Sequence, residues 1–192
     1  FIVNTYIPDL DLLFDTYYPD YKPGNGFGVG SGRLLAYGAF RQGSGSTTDM
    51  LIKRGIYDGS SVINVMDQNN IVEDLAHGWY IGPDNLHPSI GVTSPDPDKS
   101  GGYSWIKSPR YKTDGVNKEV YEVGPLARMV VSGYYPISIS VADREKARGV
   151  ENLKVADAML TWLDEIENTY GLSGPSYIPF EVLPNSTGVG LT

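Results

Sequence analysis

The sequence predicts an α+β fold: a long amphipathic helix and an N-terminal helix beside an irregular, glycine-rich β region. Three observations predict it. Apolar residues recur at helical spacing across residues 141–169, with charged residues on the other side. Between residues 33 and 123, short runs of β-formers alternate with turn signals. The 192 residues include 23 Gly, 13 Pro and 14 Tyr, which points to many turns with aromatic rings packed between them.

In chain order, Pro8-Asp9 opens the N-terminal helix, with Pro at an early position and an acid near the positive end of the helix dipole. Leu10, Leu13, Phe14 and Tyr17 have helical spacing, and Pro19 ends the run. From Gly24 to Gly32, glycine stands at every second position. That spacing is neither G-x-G-x-x-G nor G-x-x-x-x-G-K-[ST], so it reads as an irregular loop with φ > 0 positions. Leu34–Phe40 is a strand, and Ser61–Met66 is another after the Asp58-Gly59 turn signal. Ile71–Tyr80 is a strand or a short helix, since Glu73, Asp74 and Ala76 argue against a strand. Residues 83–102, with Pro83, Pro88, Pro95 and Pro97, form a long polar loop. Tyr103–Lys107 and Glu119–Val123 make a hairpin around Thr113-Asp114-Gly115.

The longest helix runs from Val141 to Thr169, started by a Ser140/Asp143 capping box. Ala142, Ala147, Val150, Leu153, Ala156, Leu160, Leu163 and Ile166 share one broad face, widened by Met159 and Trp162. Glu145, Lys146, Glu151, Lys154, Asp157, Asp164 and Glu167 mark the opposite side. Gly171 is the C-terminal stop, and Gly174-Pro175 and Pro179 hold the chain extended beyond it.

Hydrophobic residues at 41% and charged residues at 20% fit a soluble globular chain. A net charge of −8, with no Lys/Arg cluster, excludes nucleic acid as a partner. No apolar run approaches the roughly 20 residues of a membrane span. Zero Cys excludes disulfides, thiolate metal ligands and a thiol nucleophile. No signal peptide is visible, and a start at Phe1 with a stop at Thr192 reads as two cuts in a longer chain.

Few residues offer chemistry. His77 and His87 each suit a general base, but no G-x-S-x-G elbow accompanies them, and a hydrogen-bonded structural role competes. Two carboxylates across a cleft would suffice for a glycosidase, but sequence spacing does not pick them out from surface acids. Asp96, Asp98 and Ser100 alternate like a calcium loop but lack the Gly and Glu it needs at positions six and twelve. Arg110 follows Pro109, and Arg128 follows Pro125-Leu126-Ala127, so both sit beside rigidifying residues. A held guanidinium grips a carboxylate with two donors, and Glu122 on a neighbouring strand is the candidate partner. A structural ion pair competes here with a polar group aimed at an interior site.

Tyr103-Ser104-Trp105-Ile106-Lys107-Ser108-Pro109-Arg110-Tyr111 is followed by Tyr121-Glu122-Val123-Gly124-Pro125-Leu126-Ala127-Arg128-Met129. The pair resembles a signature of the large subunit of nickel-iron hydrogenases. Further similarities run in the same order: Asn4–Asp9, Tyr17–Tyr21, Glu73–Tyr80, Leu86-His87-Pro88, Ala147–Trp162 and Gly188–Thr192, the last approaching the family's Glu-Ala-Pro-Arg-Gly motif. Ser108 stands where the family commonly has Ala, and Gly78 where it commonly has Ser.

The resemblance implies that residues 1–192 are a central fragment of a large-subunit domain. The parent would oxidise hydrogen reversibly to protons and electrons at a nickel-iron centre held by four cysteine or selenocysteine positions in two terminal motifs. Neither motif is present, so the resemblance implies no catalytic residue, metal ligand or cofactor in this chain and no activity alone. His77, His87, Arg110, Glu122 and Arg128 are left as supporting polar residues. The implied partners are the remaining large-subunit segments and an iron-sulphur small subunit, on the periplasmic or membrane-associated side. An autonomous acidic, Tyr-rich module binding carbohydrate or protein is the competing reading; it accounts for the composition but not for the ordered motifs.

Overall fold

The first seventeen residues of the protein wind helically. A wide turn at Ile2–Tyr6 leads into α1 (Ile7–Leu12), and a second wide turn follows at Leu13–Tyr17. The computed structural model describes residues 1–24, 27–42, 49–169, 180–182 and 184–186. Pro8 and Asp9 stand in the first turn of α1, as expected, though a wide turn precedes that helix. Pro19 does end the helical stretch, because the residue before a proline is pushed out of the helical region, and Tyr18 has φ −132°. Of the predicted face, Leu10 and Phe14 are buried while Leu13 and Tyr17 are exposed.

Ten short strands follow among the described residues, all paired antiparallel. β1 (Leu34–Ala36), β4 (Gly55–Tyr57) and β5 (Val62–Ile63) form one sheet in the order β1-β4-β5. β2 (Ala39–Arg41) pairs with β3 (Met50–Ile52). β6 (Ile71–Asp74), β9 (Ser108–Lys112) and β10 (Lys118–Val120) form a second sheet in the order β10-β9-β6. β7 (Tyr80–Ile81) pairs with β8 (Ser94–Pro95), which lies inside the long proline-rich loop.

Several strand expectations are corrected. The strand at 34–40 splits in two, because the chain turns at Gly38 with φ +93°. The strand at 61–66 shrinks to β5, since Asp67 caps a tight turn by accepting the Asn69 N–H at 2.9 Å. Residues 71–80 give β6, which stops where the Asp84 carboxylate captures the Leu75 N–H at 2.7 Å. The hairpin turn is where expected, with Asp114 accepting from the Val116 and Asn117 N–H groups. Its first strand is β9 and not Tyr103–Lys107: five residues separate Lys112 from its partner Lys118, which fixes the register. Tyr103 instead donates to the His77 carbonyl at 3.0 Å.

α2 (Pro125–Ser132) has no counterpart in the sequence expectations. Leu126, Ala127, Met129, Val130, Val131 and Ser132 are all buried, so this short helix is apolar on nearly every side. Pro125 begins it and left-handed Gly133 closes it. It packs with Leu34, Ile52 and Ala147 in the main core. A second cluster gathers Leu35, Ile56, Met66, Ile71, Tyr111 and Tyr121, and a third joins Leu10 and Phe14 to Ala142.

α3 (Val141–Thr169) has the expected bounds. Ser140 Oγ lies 2.6 Å from Asp143 Oδ2 and accepts the Asp143 N–H at 3.1 Å, which is the capping relation expected. Burial of the proposed apolar face fails in the second half. Ala142 and Ala147 are buried, but Met159, Leu160, Leu163 and Ile166 are 53%, 65%, 59% and 60% exposed, because α2 meets only the first turns. Gly26, Gly171, Gly174, Pro175, Pro179 and residues 188–192 lie outside the described residues. Among the described residues no helix is long and apolar enough to cross a membrane.

Candidate functional site

Glu122 lies beside β1: its N–H donates to the Arg33 carbonyl at 2.9 Å, and its own carbonyl accepts the Leu35 N–H at 2.8 Å. Its carboxylate is thereby aimed at the first turns of α3, where Arg144 grips it with two donors, at 2.6 Å and 2.7 Å. A third donor of the same guanidinium holds the Gly28 carbonyl. Only glycine fits there, since an added Cβ at Gly28 would come within 2.9 Å of Val141 and Arg144 at φ +82°. The hydrogen bonds to Glu122 raise the Arg144 pKa above its ordinary value.

The expected Arg110–Glu122 pair does not form. Arg110 faces Val120 and Val72 within the β10-β9-β6 sheet, and Glu122 has already left that sheet. Arg110 donates instead to Asp74 Oδ2, at 2.8 Å from Nη2 and 3.1 Å from Nε. Burial works to raise the Asp74 carboxyl, but the Ala76 N–H and Arg110 outweigh it and hold the group below the usual range.

Arg128, on α2, pairs with Glu151 on α3: Nη2 reaches Oε2 at 2.9 Å, and Nε also contacts Oε1. Glu151 is thus not on the solvent side as expected, and its side chain is only 14% exposed. The hydrogen bonds to Glu151 raise the Arg128 pKa. Asp74, Arg144 and Glu151 were not singled out from the sequence; they lie 36, 22 and 23 residues from their partners, so no local spacing marks them.

Among the described residues neither histidine is hydrogen-bonded to both a nucleophile and an acid. His77 is exposed and stacks on Tyr103 with ring centres 5.6 Å apart. His87 is half-buried; its Nδ1 lies 2.6 Å from the Ser89 hydroxyl and accepts the Ser89 N–H at 3.1 Å, and its buried Nε2 has no hydrogen-bond partner among the described residues. The signature residue Trp105 meets Trp79 and Tyr80 edge-on, with Lys99 over Trp79 at 5.2 Å. Asp96 spends its carboxylate on the Asp98 N–H and on the N–H and hydroxyl of Ser100, closing a turn rather than offering a cation loop. The Ser100 hydroxyl is the main cause that holds its pKa low.

The five sequence candidates therefore enter separate contacts, and none is the partner of another. What α2, α3 and β1 enclose together is an open groove of about 900 Å³. Ile2 and Tyr6 form one wall, Tyr37 and Phe40 a second, and Val155, Ala156 and Met159 of α3 a third. The Arg128–Glu151 pair sits on the groove surface. Mutually paired, those charges leave the groove predominantly apolar.

Residues 1–136 match the family model described as nickel-dependent hydrogenase. The chain is 32% identical over 160 residues to the periplasmic [NiFeSe] hydrogenase large subunit of Desulfomicrobium baculatum, covering 82% of this chain and 29% of that protein. It is 36% identical over 155 residues to the uptake hydrogenase large subunit of Bradyrhizobium diazoefficiens, covering 67% and 24%. The reduced [NiFeSe] hydrogenase of Desulfovibrio vulgaris Hildenborough superposes with a TM-score of 0.71 at 28% identity, over 96% of this chain and 40% of that one. The chain thus spans under a third of the length of these curated relatives.

A nickel-iron group, held by thiolates according to the resemblance, does not fit the donors present. There is no Cys, and the described residues hold no group of three or more His, Asp or Glu side chains placed to share an ion.

Proposed function

The chain belongs to the nickel-dependent hydrogenase family, and on that premise we propose that it is the central scaffold segment of a nickel-iron hydrogenase large subunit. The observation that carries this reading is a family match over residues 1–136 in a chain without a single cysteine. Soft, low-spin metal chemistry calls for thiolate ligands, so those must come from other segments of the subunit. The described residues supply rigidity instead. The Glu122–Arg144 and Arg128–Glu151 pairs fix α2 and the segment before it to α3, and the apolar α2 fills the space between α3 and β1. An iron-sulphur small subunit and the remaining large-subunit segments are the partners this role requires. In the assembled enzyme the activity would be reversible oxidation of hydrogen.

The test is co-expression of this chain with the flanking large-subunit segments and the small subunit, followed by nickel analysis and hydrogen-dependent dye reduction. The assembly should hold nickel and reduce dye; the chain alone should do neither. One nickel per isolated chain would sink the proposal.

A further inference from the structure

Two indoles on either side of the long proline-rich loop form a corner, and a cation lies in it. The rings of Trp79 and Trp105 are 5.2 Å apart between centres and meet at 76°, so their faces stand nearly perpendicular. The Lys99 ammonium lies over both, 5.2 Å from the centre of Trp79 and 5.9 Å from that of Trp105. Both distances fall within the roughly 6 Å over which the negative face of a ring attracts a positive charge. Tyr80 packs edge-on against Trp105 at 5.7 Å and donates its hydroxyl to the Trp105 carbonyl at 3.1 Å, which fixes that wall. We propose that this corner is a binding site for a small organic cation, a quaternary ammonium above all, and that Lys99 is a built-in occupant which such a ligand displaces.

A second lysine shows what sets Lys99 apart. Lys107 also lies over a ring, that of Tyr80 at 5.1 Å, but its ammonium is paired with Glu73 at 3.2 Å. Lys99 has no carboxylate partner among the described residues, so the two indole faces are what hold its charge. Its neighbours build the turn that carries it. Asp96 accepts the Asp98 and Ser100 N–H groups at 3.0 Å and 2.8 Å, and Lys99 stands in the left-handed region at φ +50°, which a residue with a Cβ adopts only at a cost. Lys99 is exposed, so its side chain can swing into water while that turn stays closed. A primary ammonium in the corner keeps donors that only water satisfies and is strongly hydrated; a quaternary ammonium has no donors and moves onto the rings at less cost. Trp105 is 43% exposed, which opens the corner to solvent, and the net charge of −8 draws cations towards the chain.

The test is a magnetic-resonance titration of the whole isotopically labelled chain with tetramethylammonium chloride, read at the indole N–H signals of its 3 Trp residues. Trp79→Phe, Trp105→Phe and Trp162→Phe assign the signals. Those of Trp79 and Trp105 should move saturably. That of Trp162, which packs on Phe40 with ring centres 5.4 Å apart, should stay in place and report an intact fold. Lys99→Gly empties the corner without straining the turn, because glycine adopts a positive φ freely, and should tighten binding about 5- to 30-fold, the worth of the displaced cation–π contact. Lys99→Arg refills the corner and should return the affinity to the parent level or below it. Trp105→Leu removes one wall and should weaken the response of Trp79 about fivefold or more. tert-Butanol, of similar shape but uncharged, should move neither signal. An equal response to tert-butanol would reduce the corner to an apolar patch and overturn the cation site. Unchanged or weaker binding in Lys99→Gly would overturn the assignment of Lys99 as occupant. No saturable shift in either the parent or Lys99→Gly overturns the site itself.

Discussion

Arg144 and Glu122 form a two-pronged ion pair, with Nη2–Oε2 at 2.6 Å and Nε–Oε1 at 2.7 Å. It ties the start of α3 to the segment that enters α2. The side chains are 28% and 22% exposed, so water screens the pair only in part. Glu122→Gln should cost about 1.5–3 kcal/mol, the range for hydrogen bonds to charged groups. Arg144→Lys should not be a mild change, because a point charge cannot reproduce three directed donors. A urea-denaturation cycle over both positions should return a coupling of about 0.5–3 kcal/mol. Strictly additive effects would mean that the pair is incidental.

The α3 start offers a second test. Asp143 is buried and accepts hydrogen bonds from Tyr135 at 2.9 Å, Ser138 at 2.9 Å and Ser140 at 2.6 Å. Ser140→Ala removes the side-chain cap and should cost about 1 kcal/mol. Asp143→Ala strands three hydroxyls, and should cost roughly 1–3 kcal/mol more. Thermal melts followed by circular dichroism would separate the two, and equal costs would contradict the shared-acceptor geometry.

Asp74 is one source of the chain's sensitivity to acid. Its folded pKa lies below the unfolded value of 3.8, with the Ala76 N–H and Arg110 outweighing the effect of burial. The stabilisation is complete above the unfolded value and is lost as pH falls through the folded one. Asp74→Asn should therefore be less stable than the parent near neutrality, with the two curves converging below about pH 4. Denaturant midpoints across that range measure it. Curves that stay parallel would assign the acid sensitivity elsewhere.

Legibility in the sequence tracked how local each signal is. α3 was legible in its bounds because Ser140, Asp143 and the apolar period all lie within one stretch. α2 was not: eight residues apolar on nearly every side show no period to read. The 34–40 segment concealed its break because only the turn at Gly38, set by its surroundings, divides it. Arg110, Glu122 and Arg128 were legible as paired residues, but their partners were not. Which carboxylate each arginine meets depends on how β1, β6 and α3 come together, and tertiary contacts decide that. The family blocks placed the chain where the chemistry-bearing residues alone did not.

Two leucines separate what this chain packs for itself from what it leaves to others. Leu126 of α2 is 1% exposed within the main core, and Leu126→Ala should cost about 2–5 kcal/mol, as a cavity opens that neighbours cannot fill. Leu160 of α3 is 65% exposed, so Leu160→Ala should barely move the denaturation midpoint of the isolated chain. Both are leucines on helices, so their difference measures the missing cover rather than the residue type. Urea titration of the two variants beside the parent tests this directly. A large loss for Leu160→Ala in the isolated chain would show that the second half of α3 is packed in solution, by the chain itself or by another copy. Sedimentation equilibrium on the same samples would then tell those two sources apart.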